Sequence, residues 1–217
     1  MKSIAMPFSK VPTLNELKSG YPSIRALFFD MDGTIFNSES IHADAMFLIG
    51  AKYQIRAPFS PEVVHQLMMG KADHLVFDII KKWEGVPREW TAQDFIHEKN
   101  KNLIEILKKT PIQAYFSPDV LDLLNAAKAD RMYLALITSS EKVITKELLN
   151  ISKLNSYFDL VLTRDDCPQH KPDPWPYIEA MQISGFEKFE ILIFEDSHVG
   201  LEAATSSGAH VIKVEWY

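Results

Sequence analysis

Two carboxylates stand where a predicted strand ends near the start of the chain. Asp30 and Asp32 follow the largely apolar run 24–29, and Gly33 and Thr34 come directly after them. Glycine and a small hydroxyl residue let the backbone turn tightly around a small anion, and strand ends in open α/β sheets are where ligands bind. An ordinary acidic turn is the alternative, since Asp and Gly are common turn residues. The pattern favours a site for a small anion.

Three further polar clusters end predicted strands or lie in the loops that leave them. They occupy residues 137–140 (Ile-Thr-Ser-Ser), 170–174 (His-Lys-Pro-Asp-Pro) and 194–197 (Phe-Glu-Asp-Ser). Taken singly, each has a plain structural explanation, such as a threonine that ends a strand or paired acids that cap the next helix. All three lie at strand ends or in the loops that leave them, where ligands bind in open α/β sheets.

Together with residues 30–34, these clusters resemble the four motifs of the haloacid dehalogenase-like superfamily, in their usual order. The resemblance extends from about Ile24 to Val214. Residues 197–204 and 207–209 are similar to the branch that contains β-phosphoglucomutase and small sugar-phosphate phosphatases. The resemblance implies a Rossmann-like α/β core, an inserted helical cap and a small phosphorylated metabolite as substrate.

By this resemblance Asp30 is the nucleophile, which forms an aspartyl phosphate, and Asp32 is the general acid and base. Phosphoryl transfer needs a nucleophile, a proton donor for the leaving oxygen and positive charge around the phosphate. A carboxylate suits the first role because it needs no deprotonation at neutral pH. Residues two apart on an extended chain point to the same side, so both carboxylates can face one phosphate.

The resemblance also implies a Mg²⁺ site made of Asp30, the backbone carbonyl of Asp32, and Asp196. Glu195 would bind the ion directly or through water. Mg²⁺ prefers oxygen ligands, usually one or two carboxylates together with substrate phosphate. Lys171 would offset the excess negative charge, although a loop lysine is more often simply solvated.

Substrate contacts are expected from both parts of the chain. Thr138 would donate its hydroxyl to a phosphate oxygen, and Ser139 would add a backbone N–H donor. Gly33 and Thr34 would shape the turn around the anion.

Candidate cap residues follow from the same resemblance. His42 stands twelve positions after Asp30, where phosphoglucomutase-like members often carry a histidine near the cap hinge. Gly70 and Lys71 lie where the substrate-facing cap loop is expected, with a solvated surface lysine as the alternative for Lys71. Asp73 stands where the mutase has an arginine that grips the distal phosphate, and this speaks against a mutase.

The preferred function is therefore Mg²⁺-dependent hydrolysis of a small phosphate monoester, most simply a phosphosugar or related metabolite. A phosphoglucomutase-like isomerase is the first alternative. Carbon–phosphorus bond hydrolysis, with Lys71 as an imine-forming amine, ranks lower because nothing shows that amine to be desolvated. Asp32 disfavours a dehalogenase. A non-catalytic phosphoester-binding protein is disfavoured by the intact set of motif residues.

Composition limits the partners. The net charge of -6 argues against nucleic acid and anionic membranes, because no long-range positive field is available. The single cysteine, Cys167, excludes an intrachain disulfide, and a reducing compartment is then expected. Residues 1–21 lack the apolar segment of a secretory signal and no run is long enough to span a membrane, so we expect a cytoplasmic enzyme. The oligomeric state is left open.

The order of predicted elements divides the chain into three parts. Residues 1–22 form an extension in which a capping-box pattern at Thr13 predicts a short helix. Residues 38–112 show helical spacing of apolar residues, which predicts a cap of about four or five helices. Residues 23–37 and 113–217 alternate helices with apolar strands. Such strands predict a doubly wound parallel sheet with helices on both faces.

Overall fold

A computed structural model describes residues 5–8, 10–58, 60, 63, 73–109, 111 and 115–217. The chain divides into two compact units, one made of Met1–Asn37 with Ile112–Tyr217 and the other of Ser38–Pro111. We call these the core unit and the helical unit.

A six-stranded sheet forms the centre of the core unit, with strand order β1-β6-β5-β2-β3-β4. All five pairs of neighbouring strands are parallel. The strands are β1 (Ala5–Phe8), β2 (Ala26–Phe29), β3 (Tyr133–Ile137), β4 (Leu160–Leu162), β5 (Ile191–Glu195) and β6 (His210–Val214). The predicted class, a doubly wound parallel α/β core with an inserted helical segment, is confirmed.

Strand β1 is the one element of the sheet that the sequence did not predict. It is only four residues long and contains Pro7. Proline cannot donate a ladder hydrogen bond, so within sheets it is confined to edges, first positions and bulges. The strand lies at the edge of the sheet, beside β6, and its register shifts between Ala5 and Phe8.

The central strands are buried along their whole length, which explains their unbroken apolar sequence. All four residues of β2 and all five of β5 are buried. Phe29 at the end of β2 pairs with both Leu136 of β3 and Phe194 of β5. The residues that follow these three strands therefore begin at the same level of one sheet edge.

Eight helices have complete bounds in the described residues. They are α1 (Leu14–Gly20), α2 (Glu39–Tyr53), α3 (Asp73–Ile80), α4 (Ala92–Lys109), α5 (Pro118–Ala129), α6 (Lys142–Ser152), α7 (Trp175–Ser184) and α8 (His198–Ser207). The capping box at Thr13 is formed at α1, Ser117 caps α5 ahead of Pro118, and Gly208 ends α8 with a φ of 86°. None of the described helices is long and apolar enough to cross a membrane.

Helices α2, α3 and α4 belong to the helical unit, whose apolar core includes Ile49, Phe77 and Phe95. Asp73 does not stand alone there, because the buried ammonium group of Lys99 forms an ion pair with it. The prediction of four or five cap helices extends over residues outside the described part, so it stays a prediction.

Candidate active site

The four predicted motifs meet at one edge of the core sheet. Asp30 follows β2, and its backbone N–H donates to the carbonyl of Phe194 on β5 at 3.0 Å. Glu195 is the last residue of β5 and Asp196 follows it. Thr138 follows β3. Parallel strands ending at one level thus place side chains from distant parts of the sequence beside each other.

Lys171, in the loop before α7, joins three of these strand ends. Its ammonium group donates to Oδ1 of Asp30 at 2.6 Å, to Oε1 of Glu195 at 2.6 Å and to the carbonyl of Ile137 at 3.0 Å. All three donors of an ammonium group are therefore used. The side chain is only 3% exposed, so this lysine is a fixed internal cation and not the solvated surface residue that was the alternative.

The charges in this cluster shift one another's protonation. Burial raises the pKa of the Asp30 carboxyl, Lys171 opposes that effect, and the charges of Glu195 and Asp196 add to it, so the pKa lies well above its usual range. For Lys171, burial lowers the pKa, but the carboxylates of Asp30 and Glu195 more than reverse this, so the net shift is upward. The upward shift keeps Lys171 charged, and the upward shift at Asp30 reflects burial together with more neighbouring acids than this one ammonium group offsets.

Asp196 has the features of a metal ligand. Its Oδ1 atom is buried and has no hydrogen-bond partner among the described residues. Burial, followed by the charge of Glu195, raises its pKa to about 6. Oxygen atoms of Asp30, Glu195 and Asp196 all lie within 4.8 Å of one another. An all-oxygen set of carboxylates with one unpartnered buried oxygen fits a hard divalent cation such as Mg²⁺.

Gly33 leaves the space that Asp196 occupies. Its φ is +80°, and a Cβ at this position would lie 2.1 Å from Oδ2 of Asp196. Both the backbone conformation and the close approach therefore require glycine.

Glu195 is held more firmly than its neighbour. It is fully buried, and Oε1 accepts hydrogen bonds from Lys171 and from the hydroxyl of Tyr177, at 2.6 and 2.7 Å. Oε2 accepts from the backbone N–H and hydroxyl of Ser197, at 3.4 and 3.2 Å. A Cβ on Gly200 would lie 2.0 Å from Oε1. Both oxygens of this carboxylate have protein donors, whereas Asp196 keeps one oxygen without any among the described residues.

The side chain of Asp32 has a different environment. Its Oδ2 accepts a hydrogen bond from the hydroxyl of Ser140 at 2.5 Å, and Ser140 N–H donates to Oγ1 of Thr138 at 3.0 Å. The Asp32 carboxyl is not part of the three-carboxylate cluster. The part predicted for this residue in metal binding concerned its backbone carbonyl, and that stays a prediction.

The other predicted substrate contacts are placed as follows. Ser139 is exposed and Thr34 is fully buried. The N–H groups of Gly33 and Thr34 donate within their own loop, to Phe36 and Met31. These two residues shape the turn in this structure, and their direct contact with substrate stays a prediction.

Predicted residues in the rest of the chain cannot be placed at this site. His42 lies on α2 of the helical unit, half-buried. Gly70 and Lys71 lie outside the described residues. Their roles in substrate recognition stay predictions.

Sequence reasoning gave no role at the site to Ser140, Tyr177 or Gly200. The one signal for Tyr177 was a tyrosine in the first turns of a helix that covers the sheet, since a buried tyrosine hydroxyl needs a partner. Nothing local indicated what Ser140 or Gly200 would contact, because their importance comes from Asp32 and Glu195, which reach them only in the folded chain.

Comparison with known proteins agrees with this geometry. The sequence profile of the haloacid dehalogenase-like hydrolases matches residues 27–214. A protein of Thermotoga maritima named phosphorylated carbohydrates phosphatase is 29% identical over 189 residues, covering 85% of this chain and 82% of that protein. A phosphoglycolate phosphatase of Thiobacillus denitrificans is 28% identical over 203 residues, covering 92% of this chain and 87% of that protein.

Solved structures share the fold. CbbY from Rhodobacter sphaeroides, in complex with xylulose-(1,5)bisphosphate, has a TM-score of 0.76 at 22% identity over 88% of this chain and 85% of that one. The profile match covers most of the sequence and all four motifs. The chain is therefore a phosphohydrolase, as its motifs predict, and it belongs to the haloacid dehalogenase-like hydrolase family.

Proposed function

We propose that this enzyme is a Mg²⁺-dependent phosphatase that hydrolyses a small phosphate monoester, with a phosphosugar or related metabolite as substrate. The observation that carries the proposal is the fixed pair of Lys171 and Asp30 beside the buried Oδ1 of Asp196, which has no partner in the described part of the chain. Lys171 uses all three of its donors and thereby orients the proposed nucleophile, Asp30. The unpartnered oxygen of Asp196 supports a bound cation beside it.

In the proposed reaction, a carboxylate oxygen of Asp30 attacks phosphorus and the bond to the leaving alkoxide breaks. Asp32 gives its proton to the alkoxide and then takes a proton from the water that hydrolyses the aspartyl phosphate. Ser140 orients Asp32 for both transfers. A bound Mg²⁺, held by Asp30, Asp196 and the carbonyl of Asp32, would supply positive charge against the phosphate oxygens.

Hydrolysis is preferred over a mutase reaction because of the helical unit. A mutase must hold the second end of its substrate while the phosphoryl group returns, which a cation does best. The position expected for that cation is Asp73, and the nearby ammonium of Lys99 is already engaged by Asp73. We also propose a cytoplasmic location, in keeping with the single cysteine.

The test is a turnover screen of phosphorylated metabolites with purified protein and Mg²⁺, in which free phosphate is measured. Hexose 1-phosphate isomerisation is assayed in parallel. We expect phosphate release in proportion to substrate consumed, and loss of nearly all turnover in Asp30→Asn and on metal removal. Asp122→Asn, an exposed aspartate on α5, is the matched control and should behave as wild type. Isomerisation without phosphate release would show a mutase, and full activity of metal-free Asp30→Asn would refute the mechanism.

A further inference from the structure

The loop that follows the nucleophile is bonded to two aromatic side chains from the segment after β6. We call residues 31–36 the active-site loop and Trp216 with Tyr217 the aromatic pair. The indole N–H of Trp216 donates to the carbonyl of Thr34 at 2.9 Å. The hydroxyl of Tyr217 donates to the carbonyl of Ile35 at 2.6 Å. Two consecutive carbonyls of the loop are therefore held by two consecutive side chains.

The active-site loop is also bonded internally, so its backbone positions are tied to one another. The N–H groups of Ile35 and Phe36 donate to the carbonyl of Met31 at 2.9 and 3.0 Å, and Gly33 N–H donates to the carbonyl of Phe36 at 2.7 Å. Asp32 lies between these bonded positions. A displacement at Ile35 is therefore passed to the backbone of Asp32.

Trp216 is itself fixed against the strands that carry the site. The centroid of its ring lies 6.1 Å from that of Phe194. The ring of Phe194 in turn stacks on Phe29, with 4.7 Å between the ring centroids and an interplanar angle of 7°. Phe29 and Phe194 directly precede Asp30 and Glu195 in the sequence. The aromatic pair thus connects the active-site loop, by hydrogen bonds, to the strands that position the nucleophile, by ring packing.

Tyr217 has a second partner. Its hydroxyl oxygen accepts a hydrogen bond from the N–H of Ser117 at 3.2 Å. Ser117 lies on the segment that returns from the helical unit and caps α5. A further bond, from Asn37 N–H to the carbonyl of Tyr115 at 2.8 Å, joins the end of the active-site loop to the segment that contains Ser117. Tyr217 is 41% exposed overall, but partial burial of its hydroxyl raises its pKa to about 12. The hydroxyl therefore keeps the proton that it donates throughout the neutral range.

We propose that the aromatic pair is a positioning element for the general acid and base, Asp32. Asp30 has its own supports, the backbone bond to β5 and the bond from Lys171. Asp32 lies in the loop beyond the strand, where Ser140 bonds its carboxylate, and its backbone position depends on how the loop is held. Weakening the aromatic pair should therefore impair proton transfer by Asp32 more than attack by Asp30. The inference rests on the proposed phosphatase function.

The test uses leaving groups that differ in their need for a proton. Departure of an alkoxide needs the proton from Asp32, whereas p-nitrophenolate leaves without one. Trp216→Phe and Tyr217→Phe each remove one hydrogen-bond donor to the loop and keep an aromatic ring, and Tyr217→Phe also removes the acceptor of the Ser117 N–H. Tyr157→Phe is the matched control, because it removes a hydroxyl that donates to Asn125 on the surface of the core unit. We compare kcat/KM, which reports the steps through leaving-group departure, for an alkyl phosphate and for p-nitrophenyl phosphate.

Both variants of the aromatic pair should lose roughly 10-fold or more in kcat/KM for the alkyl phosphate and less than about 3-fold for p-nitrophenyl phosphate, given the usual contribution of general acid catalysis. The control should lose neither. Equal losses on both esters, or no loss on either, would overturn the proposal.

Hydrogen exchange provides a readout that needs no substrate. Peptides that cover residues 31–37 and 115–120 should exchange faster in Tyr217→Phe than in Tyr157→Phe, and unchanged exchange would overturn the proposal. A wild-type protein that hydrolyses neither ester would refute the proposed function instead, and the exchange result would still decide whether the aromatic pair holds the loop.

Discussion

Replacing Gly200 with alanine would place a methyl carbon where the carboxylate of Glu195 now lies. The added Cβ would be 2.0 Å from Oε1, while real Cβ contacts are essentially never shorter than 3.0 Å, so a shift of about 1 Å is required. The end of a glutamate side chain is normally free to move. Here it is fully buried and bonded to Lys171, Tyr177 and Ser197, so a shift must break bonds to at least one of them.

The expected cost follows from two effects. Overpacking a buried site costs about 1–3 kcal/mol, and loss of a hydrogen bond to a charged group costs about 1.5–3 kcal/mol. Alanine recovers about 0.5–1 kcal/mol as the better helix residue. We expect a net loss of about 3 kcal/mol in the free energy of unfolding, or a fall in Tm of about 6–12 °C for a chain of this size.

Thermal and urea unfolding of purified Gly200→Ala would measure this loss. Gly50→Ala is the matched control, since Gly50 also lies within a helix but a Cβ added there would meet no atom of the described residues within 4 Å. Its helix should become slightly more stable. A Gly200→Ala protein that melts within about 2 °C of wild type would show that Glu195 is not held as the structure describes.

Three further outcomes are expected. Tyr177→Phe removes one donor from the buried Glu195 carboxylate and should lower the free energy of unfolding by about 1–3 kcal/mol in urea titrations; no change would show that this bond adds nothing. The pKa of Asp196 is raised to about 6, so the folded metal-free protein binds a proton here more readily than the unfolded chain and is stabilised as the pH falls. The same proton competes with Mg²⁺ for the carboxylate. The rise in Tm that Mg²⁺ produces should therefore be larger at about pH 7.5 than at about pH 5, and an equal rise would contradict the assignment of Asp196 as a ligand. Lys71→Ala should change the ranking of metabolite substrates more than turnover of a generic aryl ester, and an unchanged ranking would remove Lys71 from substrate recognition.

The fold class could be predicted from the sequence because its signals are local. Unbroken apolar strands such as 191–194 indicate a sheet covered on both faces, and Thr13, Ser117 and Gly208 mark helix ends by their own chemistry. Strand β1 could not be predicted in this way, because Pro7 is untypical of a strand and its pairing with β6, about 200 residues away in the sequence, has no local signal.

The site was predictable to the extent that its residues follow strand ends. Asp30 and Asp196 follow β2 and β5, and the register of these strands brings them together. The supports of Glu195 and the bonds of Trp216 and Tyr217 could not be found, because they join positions as much as 182 residues apart. No periodicity or local motif reports a contact of that range.

The position of β2 in the middle of the sheet has a consequence for synthesis of the chain. Asp30, the proposed nucleophile, precedes the helical unit in the sequence, whereas both neighbours of its strand, β3 and β5, are made only after the helical unit. A nascent chain that has not yet reached β5 lacks one side of β2, the Glu195 partner of Lys171 and the open oxygen of Asp196. Under the proposed mechanism, partly made chains contain Asp30 without the groups that would make it reactive, and catalytic competence would arise only after β5 and Asp196 have been added.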